Sequence, residues 1–292
     1  TRPHPGGPPL GASFLITLRE GLEIALVLAI LIAYLVKSGR QADVAAVWRG
    51  AGTAAVICLI GGIAFHVFVG EFTGKAEQFI EGTIAITAAA VLTWMIFWMR
   101  KNSRGLGAEL RAQVDRAETH RALATIAFVA VLREGLETVL FLISAETASA
   151  SGSSVVIGGL FGLAVAAVLG RLVYAGGNRL NLRVFFNVTG VLLILFAAGL
   201  FGKFFHEYRE LLGFESGWLV APAWTVTSGA WSSGTFYDFI SGFFGWHNEA
   251  EKIRVIAYFA YLIPITWAFL RGDRATKTSS VATNEKVAVP AQ

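Results

Sequence analysis

Arg19, Glu20, Gly21, Leu22 and Glu23 stand inside an apolar run, and the same five residue types return at Arg133, Glu134, Gly135, Leu136 and Glu137. Both runs are long enough to cross a bilayer, where a charged group at the centre of a helix costs about 2.5–3.5 kcal/mol. Six such groups cost roughly 15–20 kcal/mol before partners offset them, so they should face a polar interior and act there. Residues three and four apart share a helix face. Glu20 therefore projects with Glu23, and Glu134 with Glu137, while Arg19 can pair with Glu23 and Arg133 with Glu137. Gly21 and Gly135 leave the backbone bare beside the carboxylates, which allows close helix approach. A device that only locked helices together would balance its charges. Here four carboxylates meet two guanidiniums, a formal charge of −2.

Glu77 and Glu81 add two carboxylates, four residues apart on one face of a later run, and take that charge to −4. A dry cavity of that charge calls for a multivalent cation. All its ligands are carboxylate oxygens, which favours a hard ion such as Fe³⁺, Mn²⁺, Mg²⁺ or Ca²⁺ over Cu⁺ or Zn²⁺. His206, Glu207, Glu210, Asp238, His247, Glu249 and Glu251 lie in a later polar segment and are candidates for collecting cations at an entrance; an ordinary solvated acidic loop would look the same. His66 reads as a satisfied interior histidine. The single cysteine, Cys58, gives no disulfide or thiolate-metal pattern.

The elements that must position these groups follow from composition. The chain has 292 residues, 55% hydrophobic and 15% charged, against about 25% charged in a soluble domain. Mean hydropathy is +0.61. A spanning helix needs about 20 apolar residues, and seven windows qualify: 13–36, 46–69, 77–99, 122–145, 154–176, 184–205 and 253–270. Basic residues crowd alternate connections: 37–49, 100–121, 177–183 and the segment after 270. The positive-inside rule makes these cytoplasmic, with the N-terminus outside and the C-terminus inside. The net charge of +4 thus concerns orientation rather than nucleic acid. Trp48, Trp94 and Trp98 fall where a cytoplasmic aromatic belt belongs.

The expected fold is an all-α integral membrane protein of seven transmembrane helices. Windows one to three (13–99) and four to six (122–205) each open with the charged motif, and three spans reverse direction, so the halves form two inverted repeats plus a seventh helix. The third members, "FIEGTIAI" at 79–86 and "NVTGVLLI" at 187–194, match more weakly. Residues 13–272 make up the permease domain, with one long external loop at 206–252. Residues 1–12, which read as the remnant of a longer terminus, form an exposed tail, and 273–292 a disordered cytoplasmic tail. The segment 104–121 reads as a short surface helix.

Two Arg-Glu-Gly-Leu-Glu motifs, in the first and fourth of seven windows, resemble the oxidase-dependent iron transporter family, which includes fungal high-affinity iron permeases and bacterial EfeU-type permeases. Glu81-Gly82, "FWM" at 97–99 and "HEYREL" at 206–211 also look like the family pattern. The resemblance covers residues 13–270. It implies a permease rather than an enzyme, with no permanent cofactor and iron as substrate, moved across the plasma membrane into the cytoplasm. It also implies the motif glutamates as iron ligands, and a separate extracytoplasmic ferroxidase or peroxidase-like partner. The short tails look bacterial, hence an inner membrane. Two other readings stand beside it, and the carboxylates alone do not choose among the hard ions. One is a proton-coupled transporter of Mn²⁺, Ca²⁺ or Mg²⁺. The other is a membrane redox enzyme, which wants paired intramembrane histidines where only His66 is found.

Overall fold

Each long apolar run becomes one long helix in the computed structural model, which describes residues 10–102, 106–117, 119–147, 152–174, 182–232 and 235–287. These helices are α1 (Leu10–Lys37), α2 (Val44–Gly70), α3 (Lys75–Asn102), α5 (His120–Thr147), α6 (Gly152–Tyr174), α7 (Leu182–Leu211) and α9 (Lys252–Val287). Short α4 (Leu106–Arg116) and α8 (Thr235–Phe244) join them, with a two-stranded antiparallel ribbon of β1 (Pro222–Thr225) and β2 (Glu249–Glu251). Among the described residues, five helices, α2, α3, α6, α7 and α9, are long and apolar enough to cross a membrane. α1 and α5 match them in length but carry the charged motifs. The chain is thus a multi-pass helical membrane protein. Large apolar side chains stand exposed along α2 and α6, such as Ile60, Ile63, Leu160 and Phe161, as lipid-facing helices require.

α1 stops where Gly39 takes a positive φ of 75°, a conformation that favours glycine, and Arg40 N–H closes the helix end on the Leu35 carbonyl. α4 lays Leu110 and Val114 into the bundle, and Tyr34 on α1 donates a 2.6 Å hydrogen bond to Asp115 on α4. α9 carries Pro264 inside it and continues to Val287, through the segment read above as a disordered tail; no glycine or proline stands between Gly272 and Pro290 to stop it. The long segment read as external is folded. α8 packs against α1 and α7, and the turn at Gly245 meets Gly199, well inside α7, backbone to backbone.

The helices pair as α1 with α6, α2 with α5 and α3 with α7, while α1 also touches α5. Glycines allow the closest approaches. A Cβ on Gly21 would lie 2.9 Å from the Ala166 Cβ, and one on Gly135 2.5 Å from the Cys58 sulfur. A Cβ on Gly62 would meet Val139 at 3.1 Å, and one on Gly170 would collide with the Ala25 Cβ.

Candidate functional site

The site forms where α1 and α5 cross. Glu20, Glu23, Glu134 and Glu137 are all buried there, on the faces that helical spacing assigns them. Arg19 is also buried. Its Nη1 lies 2.9 Å from Glu20 Oε1, its Nη2 lies 3.1 Å from Glu23 Oε1, and Nη1 also donates to the Met95 sulfur on α3 at 3.2 Å. The second motif differs in its surroundings. The Arg133 side chain stays 35% exposed, with Nε 3.1 Å from Glu137 Oε1 and 3.8 Å from Glu134 Oε1. Its guanidinium carbon sits 4.4 Å above the Trp98 ring, at cation–π distance. Trp98 therefore covers an arginine of the site, a role its place in an aromatic belt did not suggest.

One carboxylate oxygen each from Glu20, Glu134 and Glu137 lie within 4.8 Å of one another. Some point then lies no more than about 2.8 Å (4.8 divided by √3) from all three, against about 2.0–2.6 Å for oxygen-bound Mg²⁺ or Ca²⁺, so a small closure would ligate a hard cation. Among the described residues, Oε2 of Glu20, Glu134 and Glu137 is buried without a hydrogen-bond partner, and Glu23 Oε1 meets Arg19 as an ion pair without hydrogen-bond geometry. A buried polar atom left unpaired costs about 1–3 kcal/mol, more when charged. Glu23 is the one motif carboxylate outside the trio, held against Arg19.

Apolar layers close the site on both sides. Toward the beginning of α1, Ile16 and Phe141 join Ala85, Leu92, Ile194 and Leu200. Toward the other end, Leu28 and Leu31 join Val47, Val114, Leu123 and Val131.

The other candidate residues do not reach this site. Glu77 is exposed and accepts the Gly74 backbone N–H at 3.3 Å. Glu81 faces Lys203 Nζ on α7 at 2.5 Å. Beyond it, His206 stands between Glu251 (Nδ1–Oε2 3.3 Å) and Glu210 (Nε2–Oε1 3.6 Å), and Arg209 pairs with both acids. Glu207 lies 3.9 Å from Lys203. Burial, aided by the nearby Arg254 charge, holds the His247 imidazole well below its usual value, so it is neutral at pH 7. Glu249 is exposed on β2, and Asp238 lies on α8 with its side chain outside the described set. His66 is exposed and pairs with Glu146 at 2.9 Å rather than lying inside. Met95, Lys203 and the half-buried Arg254 are the residues sequence reasoning missed. Lys203 was visible as a lone charge in "AAGLFGKFF", whereas Arg254 looked like an ordinary helix-end residue.

Residues 11–280 match the iron permease FTR1 family. The chain belongs to this family. The permease is 38% identical over 275 residues to the ferrous iron permeases EfeU of Escherichia coli O6:H1 strain CFT073 and of Escherichia coli O157:H7, covering 91% of this chain and 98% of each relative. It is 36% identical over 282 residues to the ferrous iron permease EfeU of Yersinia pestis, covering 94% of this chain and 98% of that one. No solved structure matches. The permease is thus an iron transporter and not an enzyme, and iron is its transported substrate rather than a resident cofactor.

In the permease, Arg19 spans two carboxylates with one planar fork. Arg19→Lys keeps the charge but offers a single point donor. Iron affinity of the purified variant should fall about 10–100-fold, as when a ligand's supporting partner is lost, with normal membrane insertion. Arg133→Lys should weaken binding less, because that side chain is partly solvated. Wild-type affinity in both variants would show that the arginines do not organise the ligands.

Proposed function

We propose that the permease moves iron inward across a bacterial inner membrane through the Glu20–Glu134–Glu137 site, with Glu23 and the two arginines orienting it. The observation that carries this reading is the three convergent carboxylates, each with a buried oxygen that has no hydrogen-bond partner among the described residues. The relatives are named for ferrous iron, and we take Fe²⁺ as the ion that passes. A separate extracytoplasmic redox partner would then supply it. The test is uptake of radioactive iron into proteoliposomes, with and without ascorbate, against Mn²⁺, Ca²⁺ and Mg²⁺ as competitors. Uptake that needs the reductant and resists the competitors supports the reading. Uptake suppressed equally by Mn²⁺ favours a general hard-cation carrier.

Two inverted three-helix repeats plus α9 are part of the proposal. The helix pairing supports them, because exchanging α1 with α5, α2 with α6 and α3 with α7 turns α1–α6 into α5–α2 and leaves α3–α7 and α1–α5 unchanged. The glycine contacts follow the same exchange. Gly21 on Ala166 answers to Gly135 on Cys58, and Gly170 on Ala25 answers to Gly62 on Val139. A seven-span chain with its N-terminus outside puts Gln113 in the cytoplasm and Ser228 outside, and both are exposed. In intact cells a membrane-impermeant thiol reagent should label Ser228→Cys and spare Gln113→Cys. The opposite pattern would overturn this orientation and the inverted-repeat arrangement with it.

A further inference from the structure

Before any iron arrives, the end of the bundle where α1 begins holds a cation of its own. Lys203 is buried on α7, one turn beyond Leu200. Its ammonium lies 2.5 Å from Glu81 Oε2 on α3, donates to the carbonyl of Thr147, the last residue of α5, and sits 3.9 Å from Glu207 Oε1. One side chain thus joins three helices. Along α5, Thr147 follows Glu137 by ten residues, about 15 Å of helix. The interval is filled by Phe141 and Ala145, which cluster with Ala85 and Leu200. A cation travelling toward the inner carboxylates along this bundle passes the outer acids Glu210 and Glu251 and then meets Glu81, which an ammonium already neutralises.

We infer that Lys203 is a tethered substitute for the permeant ion and makes this mouth selective for multivalent cations. The inference rests on the transport path proposed above. A tethered group competes at an effective concentration in the millimolar range or higher. Na⁺ or K⁺ carries the same unit charge, gains no more from Glu81 than the ammonium does, and must shed water to take its place. An ion of charge two or three gains two or three times the attraction at equal distance. It can also draw on Glu207, which stands too far from the ammonium for a direct hydrogen bond. The flexible four-carbon stem lets the displaced ammonium swing aside while α7 keeps its place. Glu81, Glu207, Glu210 and Glu251 against Lys203, Arg209 and Arg254 leave one net negative charge for the incoming ion.

The test is iron uptake by proteoliposomes in rising NaCl, with N-methylglucamine chloride as the ionic-strength control. In Lys203→Met, Na⁺ should half-inhibit uptake at a concentration at least tenfold lower than in wild type, and a leak of radioactive sodium should appear. Lys203→Arg should keep wild-type salt resistance. The double variant Glu81→Gln/Lys203→Met should regain that resistance, since the unshielded carboxylate is gone. Lys203→Gln, which can still donate to the Thr147 carbonyl, is scored in the same way should the methionine variant not reach the membrane. Unchanged Na⁺ inhibition with no sodium leak in the neutral variants overturns the inference, as does a parallel loss of uptake in the Met and Arg variants, the mark of a purely structural lysine. Wild-type iron transport by Glu20→Gln and Glu137→Gln would instead overturn the path itself.

Discussion

Iron binding to the purified protein will fall at least about a hundredfold in each of Glu20→Gln, Glu134→Gln and Glu137→Gln, beyond the 10–100-fold that disturbing a ligand's supporting partner costs. Glutamine keeps the volume but removes the charge, and each of these residues brings a carboxylate oxygen to the convergence point. The three should also act as a unit. Residues sharing one network are generally non-additive, whereas independent sites add. Glu20→Gln/Glu137→Gln should therefore bind metal little worse than either single variant. A double-mutant cycle measures this, with expression and monodispersity checked for all variants. Losses that add within about 0.5 kcal/mol would mean that α1 and α5 carry separate stations along a pore. Glu23→Gln should be milder, since Glu23 lies outside the trio and acts through Arg19.

The second large effect concerns packing. A Cβ on Gly50 would fall on the Ala124 carbonyl, with the carbonyl carbon 2.8 Å and the Cα 3.0 Å away. The obstacle is backbone and cannot rotate aside, so Gly50→Ala must push α2 from α5. Overpacking costs about 1–3 kcal/mol and sometimes more. Separating this pair also disturbs the apolar layer containing Val47, Ala51, Leu123 and Ala127. We expect Gly50→Ala to lower the melting temperature of the detergent-solubilised protein well below wild type and to reduce its yield. Gly52, two residues on, has nothing within 4 Å of the added atom. Gly52→Ala should change stability by no more than about 1 kcal/mol, the helix-propensity difference between the two residues. Equal behaviour of the two variants would contradict the α2–α5 packing.

Much of the site is legible from local spacing. That Glu20 and Glu23 share a face, that Arg19 reaches Glu23, and that Arg133 reaches Glu137 follows from a helix period that depends on nothing distant. The long apolar runs likewise declare a membrane bundle, because bilayer thickness sets the length of a spanning helix. Other facts depend on how each helix is rotated and how deep it sits, and one residue of rotation turns a side chain by about 100°. Only the packed bundle determines that Glu20 meets Glu134 and Glu137 while Glu23 stays with Arg19. The same holds for Lys203, which claims Glu81, and for Trp98, which covers Arg133. Gly50 and Gly52 look alike along the chain, yet one presses on a carbonyl and the other on open space, since that difference lies in a neighbouring helix more than seventy residues away.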